Sequence, residues 1–202
     1  MKLVKPPRIA DWLFQKCTWR FAVSEPTIFL TFDDGPNPEI TPFVLDLLDK
    51  FHWKATFFCV GENCLKSPEI YQTILERNHA IGNHTMNHVH AHRVKKKEYI
   101  ERYLAFEQIQ KTTLFRPPYG RLKPRITNEI SKTHRIIMWS WLSYDYDLSV
   151  PSTEILNQLK RVKPGDILVF HDNAKIAERQ KELLPKVFAY LKKQGFTSKA
   201  IE

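Results

Sequence analysis

The stretch LTFDDGPNP, Leu30 to Pro38, places two adjacent carboxylates at the end of an apolar run with β-strand character. Neighbouring carboxylates repel each other, and burying even one is unfavourable without a compensating group. A metal ion is the simplest such group. The stretch therefore predicts a buried strand that ends at Asp33 and Asp34, and it prompts a search for further metal ligands along the chain.

The composition is that of a globular protein. Its 202 residues suit one domain, and a chain of this length buries roughly 70% of its unfolded surface. The 31 Lys and Arg residues exceed the 22 Asp and Glu residues, giving a net charge of +9. This excess favours anionic partners such as nucleic acid, an acidic membrane surface or an anionic polymer, and it is equally compatible with a basic surface that has no specific partner.

The cysteines and the N-terminal residues bear on the compartment. Three unpaired cysteines predict free thiols in a reducing compartment, with Cys59 in the core and a pairing of Cys59 with Cys64 left open. No run reaches the roughly 18 apolar residues of a membrane span, and no signal peptide is visible, so we expect a cytoplasmic location by default.

Residues 1–26 are predicted to form an N-terminal extension packed on a catalytic domain of residues 27–202. Apolar side chains in this extension follow helical spacing among basic residues, namely Ile9, Trp12, Leu13 and Cys17. Such a helix either packs on the domain, which we favour, or makes peripheral contact with an anionic membrane.

Apolar runs alternate with helical patterns along the remaining chain. The predicted strands cover 27–32, 55–60, 80–84, 113–116, 135–141 and 166–171, and a last strand starts at Phe196. The predicted helices cover 41–51 (with Thr41 as N-cap), 67–78 (with Ser67 as N-cap), 95–111, 123–133, 152–162 and 180–195. Strict alternation predicts parallel strands with helices outside, in an open sheet or a barrel. In either architecture, the catalytic and ligand-binding residues lie at the carboxyl ends of the strands.

Ionisable side chains follow five of these strands. They are Asp33 and Asp34, His84, Arg116, Asp145, and His171 with Asp172. Within the segment NHTMNH, one helical turn would bring His84 and His88 to the same face. Two histidines and a carboxylate form the three-ligand pattern of a catalytic zinc or similar divalent site.

Two further segments complete the candidate site. In FRPPYG the prolines and Gly120 make a rigid loop that can aim a backbone N–H, and Arg116 can hold a carboxylate. In LVFHD, His171 leaves a core strand beside the predicted metal site and is a candidate general acid. The remaining histidines are interpreted as surface or structural residues, namely His52, His79, His90, His92 and His134.

The ordered segments TFDDGP, HTMNH, RPPYG, a tryptophan-rich strand with a following Asp, and VFHD resemble the polysaccharide deacetylases of carbohydrate esterase family 4, the NodB-homology group. The resemblance spans Thr31 to Asp172. It implies a distorted (β/α)7 barrel and a metal-dependent hydrolase that removes N-acetyl groups from a peptidoglycan-like or chitin-like glycan, releasing acetate. No nucleic-acid partner is expected.

The resemblance also implies roles for individual residues. Asp34, His84 and His88 would bind one divalent ion, usually zinc, with cobalt or another ion as alternatives. Asp33 would be the general base, and Arg116 would hold it in position. His171 would be the general acid, with Asp145 as an acid that contacts it without binding the metal. The Tyr119 backbone N–H would donate to the oxyanion, and the substrate would contact Pro117, Tyr119 and Val169.

The sequence departs from the family pattern at Leu142, where an acid is common, at Tyr146, where tryptophan is common, and at Val169, which replaces a common leucine. The acetyl pocket is therefore less well defined than the metal ligands. Two alternatives remain open: a deacylase of another amide or of an acetyl ester on the same site, and a non-catalytic basic binding protein.

Overall fold

A curved parallel β-sheet with helices on its outside organises residues 14–202, which are the residues that the structure, a computed structural model, describes. The strands are β1 Cys17–Thr18, β2 Thr27–Asp33, β3 Ala55–Cys59, β4 Ala80–Asn83, β5 Leu114–Phe115, β6 Arg135–Ile137, β7 Trp141–Leu142, β8 Ile167–His171 and β9 Thr197–Ser198. The α-helices are α1 Thr41–Phe51, α2 Gly61–Lys66, α3 Pro68–Glu76, α4 Lys96–Phe106, α5 Pro124–Ile130, α6 Ser152–Gln158 and α7 Ala177–Lys193.

The strand order places β2 near the middle of the sheet. The order is β1-β6-β5-β4-β3-β2-β8-β7, with β9 paired to the start of β2, and all of these pairs are parallel. All seven residues of β2 are buried, as expected for a strand covered on both faces. The predicted alternation of parallel strands and outer helices is confirmed, and Asp33 lies at the carboxyl end of β2.

The prediction of a single strand over 135–141 is wrong. The structure has two short strands there, β6 and β7, because the chain changes pairing partners between them. β6 pairs with β1 and β5, whereas β7 pairs with β8 at the other end of the strand order. Between them, the Met138 N–H donates to the Thr18 carbonyl and the Ser140 N–H donates to the Ile167 carbonyl. The connection from β6 to β7 thus closes the sheet into the distorted barrel that the sequence predicts.

Several helix boundaries differ from those predicted. The short helix α2 was not predicted, α4 ends at Phe106 rather than 111, and α7 begins at Ala177 rather than 180. Thr41 is the first residue of α1 instead of its N-cap, because its hydroxyl donates to the Asp172 carboxylate. Ser67 makes no capping hydrogen bond at the start of α3.

The predicted N-terminal helix lies mostly outside the described residues, and one of its members is placed differently. Cys17 belongs to strand β1 rather than to a helix, while Ile9, Trp12 and Leu13 are not described. Membrane contact through this segment has no support from the described residues. Within residues 14–202, no helix has the length and apolar character needed to cross a bilayer. All three cysteines are free, and Cys59 is buried as predicted.

Aromatic packing joins α1 and α7 on the outside of the sheet. Phe188 of α7 has no solvent exposure, and its ring centroid lies 5.5 Å from that of Phe51 and 5.2 Å from that of Trp53. Burying a large aromatic side chain in a dense cluster contributes several kcal/mol to stability. This layer supports the sheet from the face opposite the barrel interior.

We expect Phe188→Ala to lower the free energy of unfolding by about 3–5 kcal/mol, because the substitution leaves a cavity between α7 and the residues around Trp53. Leu65→Ala is the matched control: Leu65 is 61% exposed, and its loss should change stability by no more than about 0.5 kcal/mol. Urea unfolding followed by circular dichroism measures both. Equal effects of the two substitutions would contradict this assignment of the core.

Candidate active site

The two adjacent aspartates point to different partners at the carboxyl end of β2. Asp33 ends the strand and is buried, with Oδ1 2.7 Å from a terminal nitrogen of Arg116. Asp34 has a φ of 81°, in the left-handed region, so the chain turns sharply between the two residues. The Asp34 Oδ1 atom lies 3.2 Å from Nε2 of His88 and 3.8 Å from Nε2 of His84.

The three residues Asp34, His84 and His88 form a potential metal site. One ligand atom from each lies within 4.8 Å of the others. Zinc ligands about 2.1 Å from a tetrahedral ion are about 3.4 Å apart, which is close to the two distances measured from Asp34. The donor set of one carboxylate and two imidazoles suits zinc and several other divalent ions. The residues therefore fit the predicted cation.

The main chain holds His84 in the ring orientation that a metal ligand needs. Its Nδ1 atom lies 2.7 Å from the carbonyl oxygen of Arg116, which can only accept a hydrogen bond, so Nδ1 carries the proton. Nε2 is then left with its lone pair toward Asp34. Burial lowers the pKa of His84 to about 4, so its ring is neutral at pH 7 and able to bind a cation.

The electrostatics of Asp34 also suit a cation ligand. Burial alone would raise the pKa of Asp34, but the hydrogen bond from His88 and the charge of His171 hold it well below its usual range. The side-chain amide of Asn173 donates to the Asp34 carboxylate at 3.1 Å. The amide of Asn63 donates to the Asp34 main-chain carbonyl at 2.7 Å. The carboxylate is thus ionised and held in place.

The HTMNH segment brings its histidines together through a turn, and not through the helical turn that the sequence predicts. Thr85 and His88 have φ values of 66° and 55°, which no α-helix contains. The Asn83 side chain accepts a hydrogen bond from the Thr85 N–H, and the Thr85 hydroxyl accepts one from the Val89 N–H. These local bonds replace helical ones, and the two imidazole centroids still lie 5.0 Å apart.

Arg116 is fully buried and bonded in several directions. Its guanidinium donates to Asp33, to the Thr31 hydroxyl at 2.6 Å, and to the carbonyls of Ile137 and Met138 at 3.2 and 2.9 Å. It also lies 4.1 Å from the centroid of the Phe58 ring. A buried guanidinium with this many acceptors has one orientation, so the position of the Asp33 carboxylate is fixed as well.

His171 pairs with the buried Asp145 on the other side of the cavity. The distance from His171 Nδ1 to Asp145 Oδ1 is 2.7 Å, and the Gln180 amide donates to Asp145 Oδ2 at 2.6 Å. Burial alone would lower the pKa of His171, but the charge and hydrogen bond of Asp145, together with Asp34 and Asp33, raise it to about 9. His171 therefore carries a proton at neutral pH.

A cavity of about 440 Å³ connects these groups. Its lining includes Asp33, Asp34, His84, His88, Tyr119, Val169, His171 and the two departures from the family pattern, Leu142 and Tyr146. Tyr119 has a φ of 61°, and its N–H forms no hydrogen bond to another main-chain group of residues 14–202. Pro117 lines a neighbouring groove instead of this cavity. Asp145 and Arg116 do not line the cavity, and each contacts a lining residue, His171 and Asp33 respectively.

Two further polar residues were not among the predicted site residues. Asp172 accepts hydrogen bonds from the Gly35 N–H and the Thr41 hydroxyl, which ties the DDG turn to α1. Burial raises the pKa of Asp172 to about 8. The sequence analysis places Asp172 at a strand end beside His171 but assigns it no role. Gln180 lies in α7, and nothing in the local sequence distinguishes it from an ordinary helical residue.

A parallel α/β barrel with a carboxylate and two imidazoles at the carboxyl ends of its strands is typical of metal-dependent hydrolases. A family model described as polysaccharide deacetylase matches residues 22–135, more than half of the chain. The chain belongs to this polysaccharide deacetylase family. The family assignment made from the sequence motifs is confirmed.

Individual relatives agree with the family assignment. The chain is 35% identical to a peptidoglycan-N-acetylglucosamine deacetylase of Bacillus cereus, with 89% of this chain and 88% of the relative covered. It is 31% identical to a chitooligosaccharide deacetylase of Azorhizobium caulinodans, with 76% and 77% covered. A crystal structure of a peptidoglycan N-acetylglucosamine deacetylase superposes with a TM-score of 0.85 at 30% identity, covering 93% of both chains.

We expect Asp145→Asn to lower the pKa of His171 by about one to three units, because the substitution removes the nearest negative charge while burial remains. NMR titration of the imidazole nitrogens in chelator-treated protein measures this shift.

The raised pKa of His171 also predicts how stability depends on pH. The pair of His171 and Asp145 stabilises the fold fully below about pH 6.5 and loses that contribution as the pH rises through about 9.

His79 is an internal control for this titration. It accepts a hydrogen bond from the Ala55 N–H at the opposite end of the strands, and burial lowers its pKa to about 4. Its titration should be the same in the Asp145→Asn protein. A wild-type His171 that titrates at or below pH 6.5 would contradict the pairing with Asp145.

Proposed function

We propose that the chain is a metal-dependent deacetylase that hydrolyses the acetamide of an N-acetylated sugar in a polysaccharide, releasing acetate and leaving a free amine. The observation that carries this proposal is the arrangement of Asp34, His84 and His88 in one cavity with an unligated carboxylate, Asp33, and a protonated imidazole, His171. Residues 27–202 carry all of these groups, and we propose that they form the catalytic domain.

A divalent cation, most simply zinc, would be held by Asp34, His84 and His88 and would supply a Lewis acid for carbonyl polarisation and water activation. The ionised Asp34 and the lone pair on His84 Nε2 support this assignment. Cobalt or another divalent ion suits the same donors.

Asp33 is proposed as the general base. It lines the cavity, and the guanidinium of Arg116 donates a hydrogen bond to its Oδ1 atom. The other oxygen is available to accept a proton from the attacking water. Arg116 is therefore proposed as a positioning residue, because its fully buried guanidinium reaches the reacting groups through Asp33.

The proton for the departing nitrogen comes from His171 in this proposal. An amide nitrogen leaves poorly as an anion, so the reaction needs an acid that is still protonated at neutral pH and can give its proton to that nitrogen. The raised pKa of His171 satisfies that need, and Asp145 keeps the ring oriented through Nδ1, so that Nε2 holds the transferable proton.

The Tyr119 N–H is proposed as a donor to the oxyanion that develops on the carbonyl oxygen. The left-handed conformation of Tyr119 separates its N–H from the local hydrogen bonds of the RPPYG loop. One well-placed donor of this kind contributes about 3 kcal/mol to transition-state stabilisation. Val169 lines the same cavity and is proposed to contact the acetyl methyl group.

The substrate is proposed from the relatives: glycans of the peptidoglycan or chitooligosaccharide type, which carry N-acetylglucosamine. We expect purified protein to release acetate from such oligosaccharides and to lose activity on treatment with a chelator, with recovery on addition of zinc. Acetylated xylan tests the acetyl-ester alternative. Acetate release from none of the three substrates with zinc present would contradict the proposed deacetylase activity and favour the binding-protein alternative.

The two aspartates are distinguished by substitution. We expect Asp33→Asn to retain about one zinc ion per chain and to lower kcat by about 10²–10⁴-fold, because it removes the base and leaves the ligands. His84→Ala should lose both the ion and the activity, because only two ligands remain. Metal analysis and acetate release measure these effects. An Asp33→Asn protein that binds no metal would contradict the division of roles between Asp33 and Asp34.

A further inference from the structure

Glu107 is a buried acid that does not line the catalytic cavity. It directly follows the last residue of α4, and its side chain is only 7% exposed. A carboxylate is costly to bury unless other groups bind it, so the contacts of Glu107 indicate what holds it there. One of those contacts is Asn83, the last residue of β4, which precedes the potential metal ligand His84.

The Glu107 carboxylate has three neighbouring donors. Its Oε1 atom accepts a hydrogen bond from the side-chain amide of Asn83 at 2.7 Å and lies 3.3 Å from Nε2 of His134. Its Oε2 atom accepts the Thr112 N–H at 3.4 Å. Burial alone would raise the pKa of Glu107, but the hydrogen bonds from His134 and Asn83 hold it below its usual range. Glu107 is therefore an ionised acceptor at neutral pH.

Glu107 sets the orientation of the Asn83 side chain. The amide nitrogen of Asn83 donates both to Glu107 and to the main-chain carbonyl of Tyr103, the latter at 3.0 Å. A carboxylate and a carbonyl can only accept, so the amide nitrogen faces them and the amide oxygen faces the other way. That oxygen accepts the Thr85 N–H at 2.8 Å. The link thus runs from Glu107 through Asn83 to Thr85.

Thr85 lies between the two histidines of the potential metal site. It is buried and has a φ of 66°, which a β-branched residue adopts only when surrounding contacts hold it there. Its hydroxyl accepts the Val89 N–H, one residue beyond His88. The hydrogen bonds of Asn83 and Thr85 therefore span the segment that carries His84 and His88.

We propose that Glu107 is a positioning residue for the metal site, which holds His84 and His88 at the separation that one divalent ion requires by acting through Asn83 and Thr85. The inference rests on the proposed function and adds a residue outside the cavity to the groups that support it. Hydrogen bonds behind the ligands of a metal orient those ligands, and their loss typically weakens metal binding about 10–100-fold.

The experiment separates the length of the Glu107 side chain from its charge. Glu107→Asp keeps the charge but draws the carboxylate back by about 1.5 Å, too far to accept the hydrogen bond from Asn83. Glu107→Gln loses the charge but keeps an oxygen that can replace Oε1. Glu98→Asp is the matched control, because Glu98 is an exposed residue in the first turn of α4. The measured quantity is the dissociation constant for zinc, obtained by competition with a chromophoric chelator.

We expect Glu107→Asp to raise the dissociation constant for zinc about tenfold, and we expect Glu107→Gln and Glu98→Asp to retain the wild-type value. Asn83→Ala should weaken zinc binding as well. In the Asn83→Ala background, Glu107→Asp should cause no further loss, because two residues that act through one link are not additive. A general loss of stability would not produce this dependence on Asn83.

Equal zinc affinity in Glu107→Asp and Glu98→Asp would overturn the inference while leaving the proposed function intact, and so would an equal loss from Glu107→Asp with and without Asn83. A wild-type protein that binds no zinc would instead contradict the proposed function. In that case amide hydrogen exchange of the metal-free protein still decides the inference. A Thr85 N–H that exchanges about tenfold faster in Glu107→Asp than in Glu98→Asp supports the positioning role, and equal rates overturn it.

Discussion

Arg116 carries a positive charge into the interior of the barrel, where its side chain has no exposure to solvent. Its guanidinium is bound to the Asp33 carboxylate, and its main-chain carbonyl accepts the hydrogen bond from His84 Nδ1. One residue therefore positions both the proposed base and one of the potential metal ligands. Breaking such a buried ion pair by removing one partner is costly, about 3–5 kcal/mol, because the other charge is left uncompensated.

This constraint explains how two adjacent aspartates can do different work. Asp33 is held by Arg116 from within the barrel, while the left-handed conformation of Asp34 turns its carboxylate toward the two histidines. The Asp172 carboxylate supports the turn by accepting the Gly35 N–H. A Cβ at Gly35 would lie 2.1 Å from Asp172 Oδ2, so the turn requires a glycine at this position. The DDG sequence is thus explained by packing as well as by chemistry.

Much of this architecture could be predicted from sequence, because buried parallel strands read as apolar runs and their ends carry the polar residues. Helix α1 was predicted with its observed boundaries, 41–51, and residues from separate strand ends do meet in one cavity. The split of 135–141 could not be predicted, since both halves are equally apolar and only the pairing partners differ.

Two further features of the site, a long-range contact and the conformation of a loop, could not be predicted from local sequence patterns. Gln180 bonds to Asp145 across 35 positions of sequence, and a lone glutamine in a helix gives no sign of that. The spacing of His84 and His88 predicts a helical turn, whereas the side chains of Asn83 and Thr85 accept main-chain hydrogen bonds that form a different turn, and this turn also brings the two imidazoles together. The residue types therefore predict the potential metal ligands, but they do not predict the backbone conformation of the segment that carries the two histidines.

The most direct test of the central claim is an anomalous diffraction map from crystals of the protein grown with zinc. Our account predicts one peak at bonding distance, about 2.0–2.2 Å, from Asp34, His84 and His88, with Asp33 still paired to Arg116. A peak coordinated by Asp33, or the absence of a peak with the three side chains pointing apart, would contradict it.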